Sequence, residues 1–263
     1  MHASRNYERL LTLAVVLLTT AAWTQTQSRE FHWSGKLAPE NIVEIKGING
    51  AIEAQPATGD EVEVTAEKSG PRADEVKIEV AQHANGVTIC AIYPGQHASG
   101  HCEPGSEWHT NNTHGDDTKV DFHVKLPRNL RFSGQNVNGS VIAENMGRFV
   151  HASSVNGRVR VSTASWAEVS TVNGSIEAAM GSADWTGTLH ISTVNGSIRL
   201  EMPGDLSADV SFRSVNGSLN SDFPLTVKGS LGGRLVSGRI GNGGRDLRVD
   251  TVNGSVELRR KEI

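Results

Sequence analysis

The chain has 263 residues and a formal charge of −4, with 28 Gly but only 6 Phe and 2 Tyr. A chain of this length can bury a substantial core, yet an acidic balance gives it no electrostatic means of recruiting nucleic acid or anionic lipid. Abundant glycine with few aromatic residues also argues against long helices and for short strands joined by tight turns.

At the N-terminus, Arg5 and Arg9 precede an apolar run over residues 10–18, followed by Thr19, Thr20, Ala21 and Ala22. This order of basic, apolar and small residues predicts a secretory signal peptide, residues 1–22, cleaved after Ala22. The run is shorter than the roughly 20 residues that span a bilayer, so no transmembrane segment is expected after cleavage. Cleavage removes Arg5, Glu8 and Arg9 and takes the formal charge to −5. No cysteine follows the apolar run, which argues against a lipid anchor. The expected location is the periplasm, the outer surface or the extracellular medium.

Residues 23–130 read as an N-terminal β-rich cap, with strands predicted at 61–67, 75–80, 86–92 and 120–126. Within it, residues 93–118 form a polar loop carrying His97, His101, His109 and His114 beside Cys102, Glu103, Asp116 and Asp117. Imidazole and thiolate are zinc and copper ligands, but this spacing matches no compact ligand motif. No metal and no other cofactor is therefore expected. Cys90 and Cys102 both lie in the exported part, where a disulfide between them can form and persist.

From there the chain is dominated by a repeat. The units are Ile48-Asn49-Gly50, Val137-Asn138-Gly139, Val155-Asn156-Gly157, Val172-Asn173-Gly174, Val194-Asn195-Gly196, Val215-Asn216-Gly217, Val236-Ser237-Gly238 and Val252-Asn253-Gly254. The invariant Gly suggests a backbone turn through positive φ. Three residues beyond the Asn or Ser stand Ile52, Val141, Val159, Ile176, Ile198, Leu219, Ile240 and Val256. Alternation beyond the turn predicts a strand with one buried face.

Two architectures use such a unit. In a meander, each Asn-Gly is a hairpin turn, and Ile191 faces Leu200 across it. In a β-solenoid, Asn-Gly is a bend within one coil, and both the Val before it and the aliphatic residue after it can point inward. The solenoid is preferred because the Val column is never polar and coils of about 20 residues suit a repeat stack. Stacked coils would bring successive Asn side chains into a hydrogen-bonded ladder. Residues 131–263 are thus expected to form the solenoid domain, with loops at 181–188, 203–208 and 222–229. The run Arg259-Arg260-Lys261-Glu262 is expected to place charge on the last coil.

The series of V-N-G-S-I units, preceded by V-T-I-C-A-I-Y-P and V-D-F-H-V-K-L-P, resembles the bacterial family named "putative adhesin", a β-strand-repeat domain of unknown function. The resemblance covers most of the mature chain. It implies a right-handed, single-stranded β-solenoid at the cell envelope, without an established enzymatic activity or site. The Val236-Ser237-Gly238 unit departs from the pattern, which puts regular stacking there in doubt.

No nucleophile elbow or converging acid–base group is visible, so a non-catalytic binding scaffold is the expected function and an enzyme is not. Candidate binding-face residues are Arg160, Glu177 and Arg199, on outward columns of alternating strands. Trp108, Trp166 and Trp185 could offer indole faces to sugars. The expected partner is an envelope protein or a glycan. Two alternatives stay open: a polysaccharide-active β-helix enzyme, which would use such outward acidic and basic groups, and a structural or envelope-stress scaffold that binds a protein.

Overall fold

The computed structural model describes residues 29–94, 102–106, 117–227 and 235–261. The segment read as a signal peptide lies outside them, as do Trp108 and all four loop histidines.

Apart from one 3-10 turn at Ala73–Glu75, the described regular structure is all strand. In chain order, β1 (Glu30–Gly35) precedes β2 (Ile42–Lys46) and β3 (Ile52–Pro56), which flank the first Asn-Gly bend. β4 (Val62–Ser69) and β5 (Lys77–His83) follow, then β6 (Gly86–Ile92) and β7 (Lys119–Leu126). Next come strand pairs divided by the bends: β8 (Arg131–Gln135) with β9 (Val141–Met146), β10 (Val150–Asn156) with β11 (Val159–Thr163), and β12 (Ala167–Asn173) with β13 (Ile176–Met180). β14 (Thr188–Ser192) with β15 (Ile198–Met202), and β16 (Ala208–Asn216) with β17 (Leu219–Ser221), continue the series. β18 (Thr226–Val227) and β19 (Leu235–Ile240) interrupt it, and β20 (Asp246–Asn253) with β21 (Val256–Arg260) complete the chain.

Each coil gives one strand to each of two sheets. The first sheet has the order β1-β4-β7-β3-β9-β11-β13-β15-β21-β17, and the second β18-β19-β16-β20-β14-β12-β10-β8-β2-β6-β5. Strands from successive coils pair in parallel, Val159 beside Ile176 and Ile176 beside Ile198. Ile191 and Leu200 lie in different sheets and do not face each other, so the hairpin meander is set aside. The inward columns of both sheets form one aliphatic core, including Val43, Val141, Val159, Ile176, Ile191, Ile198 and Val256.

The bends carry the predicted ladder. Asn138 Nδ2 donates to Asn49 Oδ1, Asn156 to Asn138, Asn173 to Asn156, Asn195 to Asn173, Asn253 to Asn195 and Asn216 to Asn253, at 2.7–2.9 Å. A second ladder runs beside it. The hydroxyls of Ser154, Thr171, Thr193, Thr251 and Ser214 donate to the carbonyls of Gly139, Gly157, Gly174, Gly196 and Gly254 in the adjoining coil, at 2.9–3.0 Å.

That second ladder corrects the expectation for the Val column. Because the Ser or Thr two places before Asn points inward, alternation turns the intervening Val outward. Val155, Val172, Val194, Val215 and Val252 are 36–40% exposed. Ile48 is the buried exception, in the coil where Tyr93 Oη donates to the Asn49 carbonyl at 3.0 Å.

The repeat Gly takes the expected positive φ at some bends and not at others. Gly50, Gly139 and Gly254 have φ values of 114°, 153° and 159°, but Gly157, Gly174, Gly196 and Gly217 are not in the left-handed region. Their constraint is stacking: a Cβ on Gly174 would lie 2.0 Å from the Gly157 carbonyl oxygen, and one on Gly196 would lie 1.9 Å from that of Gly174. Real Cβ atoms do not approach so closely, so only glycine lets the backbones meet.

Chain order and spatial order part company at both ends. The coil β2/β3 lies between β6/β7 and β8/β9, and the ladder crosses residue 130 unbroken, with Val43 beside Phe132 and Ile52 beside Val141. At the far end, β20/β21 lies between β14/β15 and β16/β17. The basic run at Arg259 and Arg260 is therefore not on the outermost coil. Arg259 instead pairs with Asp222 at 3.1 Å and Arg260 covers the Phe223 ring at 5.0 Å, where the chain leaves β17. Antiparallel strands flank the stack at one end of the first sheet, β1 on β4 and β4 on β7, and at both ends of the second, β5 on β6 and β19 on β16, while the first sheet ends on β17, parallel to β21.

Candidate binding face

The outward face of the first sheet follows from the repeat. Four residues beyond each Asn, an outward side chain stands in register with its counterparts: Glu53, Ile142, Arg160, Glu177, Arg199, Glu257 and Asn220. Parallel in-register pairing sets these columns about 4.8 Å apart, so like charges would repel and opposite charges can pair. Arg160 Nε meets Glu177 Oε2 at 3.0 Å, and Arg199 reaches Glu257 at 3.4 Å.

The three residues proposed from the alternation, Arg160, Glu177 and Arg199, thus lie on adjacent strands. They line a shallow depression of about 180 Å³ together with Glu144, Ser162, Ala179 and Glu201. The concavity arises because Ser162 and Ala179 are short beside long charged neighbours. Glu144 lies 3.8 Å from Arg160, and Glu201 lies 3.6 Å from Arg199. Reading the column six residues beyond each Asn, where Glu144, Ser162, Ala179, Glu201 and Arg259 stand, would have found the floor and both walls.

The outward face of the second sheet differs along its length. Near β6 it is covered: Cys90, on β6, is joined to Cys102 as a disulfide. This linkage lays residues 102–106 over the outward side chains of β2. Lys46, fully buried, donates to the carbonyls of Glu103 and Ser106 at 2.6 and 2.9 Å and lies 3.5 Å from Glu44. Glu44 also accepts from Thr88, Gly105 and Gln135. Loss of hydration pushes the Lys46 ammonium below its ordinary pKa, although Glu44 opposes the shift.

Further along, His151 lies 3.7 Å from Glu168, and His190 lies 3.0 Å from Asp250, which also accepts from Arg248 at 2.7 Å. The neighbouring His151 ring holds the Glu168 carboxyl below its ordinary value, against partial burial. Among the described residues, no group of three or more His, Cys, Asp or Glu is placed to hold a metal ion. Nor is any helix among them long and apolar enough to cross a membrane.

Trp166 and Trp185 offer little open ring surface. Trp185 is buried, its Nε1 donating to the Asp246 carbonyl at 3.0 Å. Trp166 packs against Phe149, with ring centroids 4.4 Å apart.

No curated protein matches the chain. Among solved structures, a "putative cell adhesion protein" from Clostridium sporogenes ATCC 15579 aligns over 88% of this chain and 100% of its own, at 10% identity and a TM-score of 0.48. A "putative adhesin" from Bacteroides fragilis NCTC 9343 aligns over 89% and 98%, at 12% identity and a TM-score of 0.37. Residues 150–259, from the start of β10 into β21, match the family model Toastrack DUF4097, a domain of unknown function.

Proposed function

We propose that the protein is a non-catalytic binding scaffold of the cell envelope, which presents the outward ladder of its first sheet to another macromolecule, an envelope protein or a glycan. The observation that carries this reading is the depression walled by Arg160, Glu177 and Arg199. A stack of coils holds these groups at fixed spacing, so little side-chain or backbone order is lost on binding. Their ion pairs are exposed and individually weak, on the order of 0.2–1 kcal/mol, so a ligand can exchange them for its own charged groups. No nucleophile paired with a base converges on the depression, which favours binding over turnover.

On this reading the chain is exported after loss of residues 1–22, and it works in the periplasm or outside the cell. Residues 23–130 form the β-rich cap and residues 131–263 the solenoid repeat domain. The coil is right-handed, as parallel strand–crossover–strand connections almost always are.

The test is a paired screen of the mature chain and an Arg160→Ala, Glu177→Ala, Arg199→Ala variant against envelope glycans and purified envelope proteins, with a polysaccharide-cleavage assay alongside. The reading expects binding by the parent chain, loss of binding in the variant, and no cleavage by either. Binding that survives all three substitutions would move the site elsewhere, and glycan turnover would overturn the non-catalytic assignment.

A further inference from the structure

The Val236-Ser237-Gly238 unit resembles the repeat by letter but is not used as a bend. It lies inside β19, antiparallel to β16, and takes no part in the Asn ladder. Ser237 stands directly across from Ser211 on the outward face of the second sheet. Beyond Ser211 the same cross-strand row continues with Arg248 and His190. Two adjacent short side chains among long ones leave a depression of about 500 Å³, inside the range of roughly 300–1,000 Å³ common for ligand pockets.

We propose that this depression is a cleft for a neutral polyhydroxylated chain, an oligosaccharide segment, separate from the face of the first sheet. One wall is the in-register row Thr188, Asp246, Asp209 and Arg239, contributed by four neighbouring strands. Three steps of about 4.8 Å make this row about 14 Å long, the proportions of an extended chain rather than a compact ligand. Arg248 stands across the floor from it.

Charge selects the ligand class. Two carboxylates and two guanidinium groups cancel, so the cleft carries no net charge with which to hold an ion. It does hold ready-made acceptors and donors: a carboxylate can accept from two neighbouring hydroxyls, and a guanidinium can donate to two oxygens. The row is braced before any ligand arrives. Asp209 accepts from Arg239 at 2.9 Å and from the Gly244 amide at 3.0 Å, while the indole of Trp185 holds the backbone of Asp246. Such bracing lowers the ordering cost of binding.

The experiment titrates the mature chain with cellohexaose, chitohexaose and maltohexaose, and with hexagalacturonate as a charged comparator, followed by amide NMR shifts and calorimetry. At least one neutral hexasaccharide is expected to shift the amides around Ser211, Ser237 and Asp246. Filling the cleft with Ser211→Leu and Ser237→Leu is expected to weaken that binding about tenfold or more, and Asp246→Asn, which keeps the shape, to weaken it by less. The first-sheet triple variant is expected to bind these sugars as the parent does, so this cleft and the first-sheet face can fail separately. No shift at these amides with any neutral sugar, binding confined to hexagalacturonate, or binding indifferent to both the filled cleft and Asp246→Asn would each overturn the proposal.

Discussion

The middle of the stack and its two ends are built on different rules. Between β8 and β15, chain order and spatial order agree, every bend carries an Asn, and each coil adds one amide and one hydroxyl or amide hydrogen bond to its neighbour. At the ends, coils are exchanged in order and the outer strands turn antiparallel, except β17, which stays parallel to β21. A unit that stacks on its own likeness has no internal reason to stop, and an open ladder edge invites another chain. Termination in the second sheet and at the near end of the first therefore comes from strands that do not stack as repeat coils, β1, β4 and β5 at one end and β18 and β19 at the other.

The sharpest way to break the regular middle is to add one carbon to a stacked glycine. Gly174→Ala forces a Cβ against the Gly157 carbonyl, and a loss of about 3 kcal/mol or more is expected in denaturant titration. Gly59→Ala, with nothing within 4 Å of the added carbon, is expected to stay within about 0.5 kcal/mol.

At the closed end, the comparable lever is covalent. Replacing Cys90 and Cys102 by Ser is expected to cost about 2–4 kcal/mol and to release residues 102–106 from Lys46. Hydrogen exchange at β2 and β6 should then rise while exchange at β12 and β13 stays slow. Uniform loosening of both regions would mean that the disulfide supports the whole stack rather than its end.

Smaller effects sharpen the contrast between inner and outer ladder positions. Asn173→Ala removes two ladder bonds and strands a partner on each side, so about 1–2 kcal/mol is expected. Asn216→Ala, at the end of the ladder, removes one and is expected to cost about half as much. Val172→Thr, on the exposed column, is expected to change stability by less than about 0.5 kcal/mol. Val159→Thr, on the buried column, is expected to cost about 1–3 kcal/mol.

The smallest expected effect is a pH dependence in the middle of the second sheet. Because His151 depresses the Glu168 carboxyl, the folded chain binds fewer protons there than the unfolded chain does. Its contribution is complete above the ordinary value of 4.5 and is lost as pH falls through the depressed one. Comparing Glu168→Gln with the parent from pH 7 to pH 3 should show the difference in stability shrinking as the pH falls. An exposed pair of this kind is worth less than about 1 kcal/mol, and a difference that grows with acidification would reverse the assigned sign.

Local pattern alone determined the strand class, the Asn ladder and the Cys90–Cys102 pairing, because each follows from short-range periodicity or from two residues with few alternatives. It also placed Arg160, Glu177 and Arg199 on one outward column, since alternation beyond a fixed bend needs no knowledge of neighbours. The exposure of the Val column was not legible, because it depends on the inward Ser or Thr finding a carbonyl in the next coil. The stacking demand on glycine was hidden for the same reason, as the clash exists only once a second backbone lies beneath. Tertiary structure alone decided the coil order at the ends, the burial of Lys46 beneath residues 102–106, and the use of Val236-Ser237-Gly238 as mid-strand. All three rest on pairings between residues far apart in the chain, where several coils with nearly identical edges compete and only the complete stack selects among them.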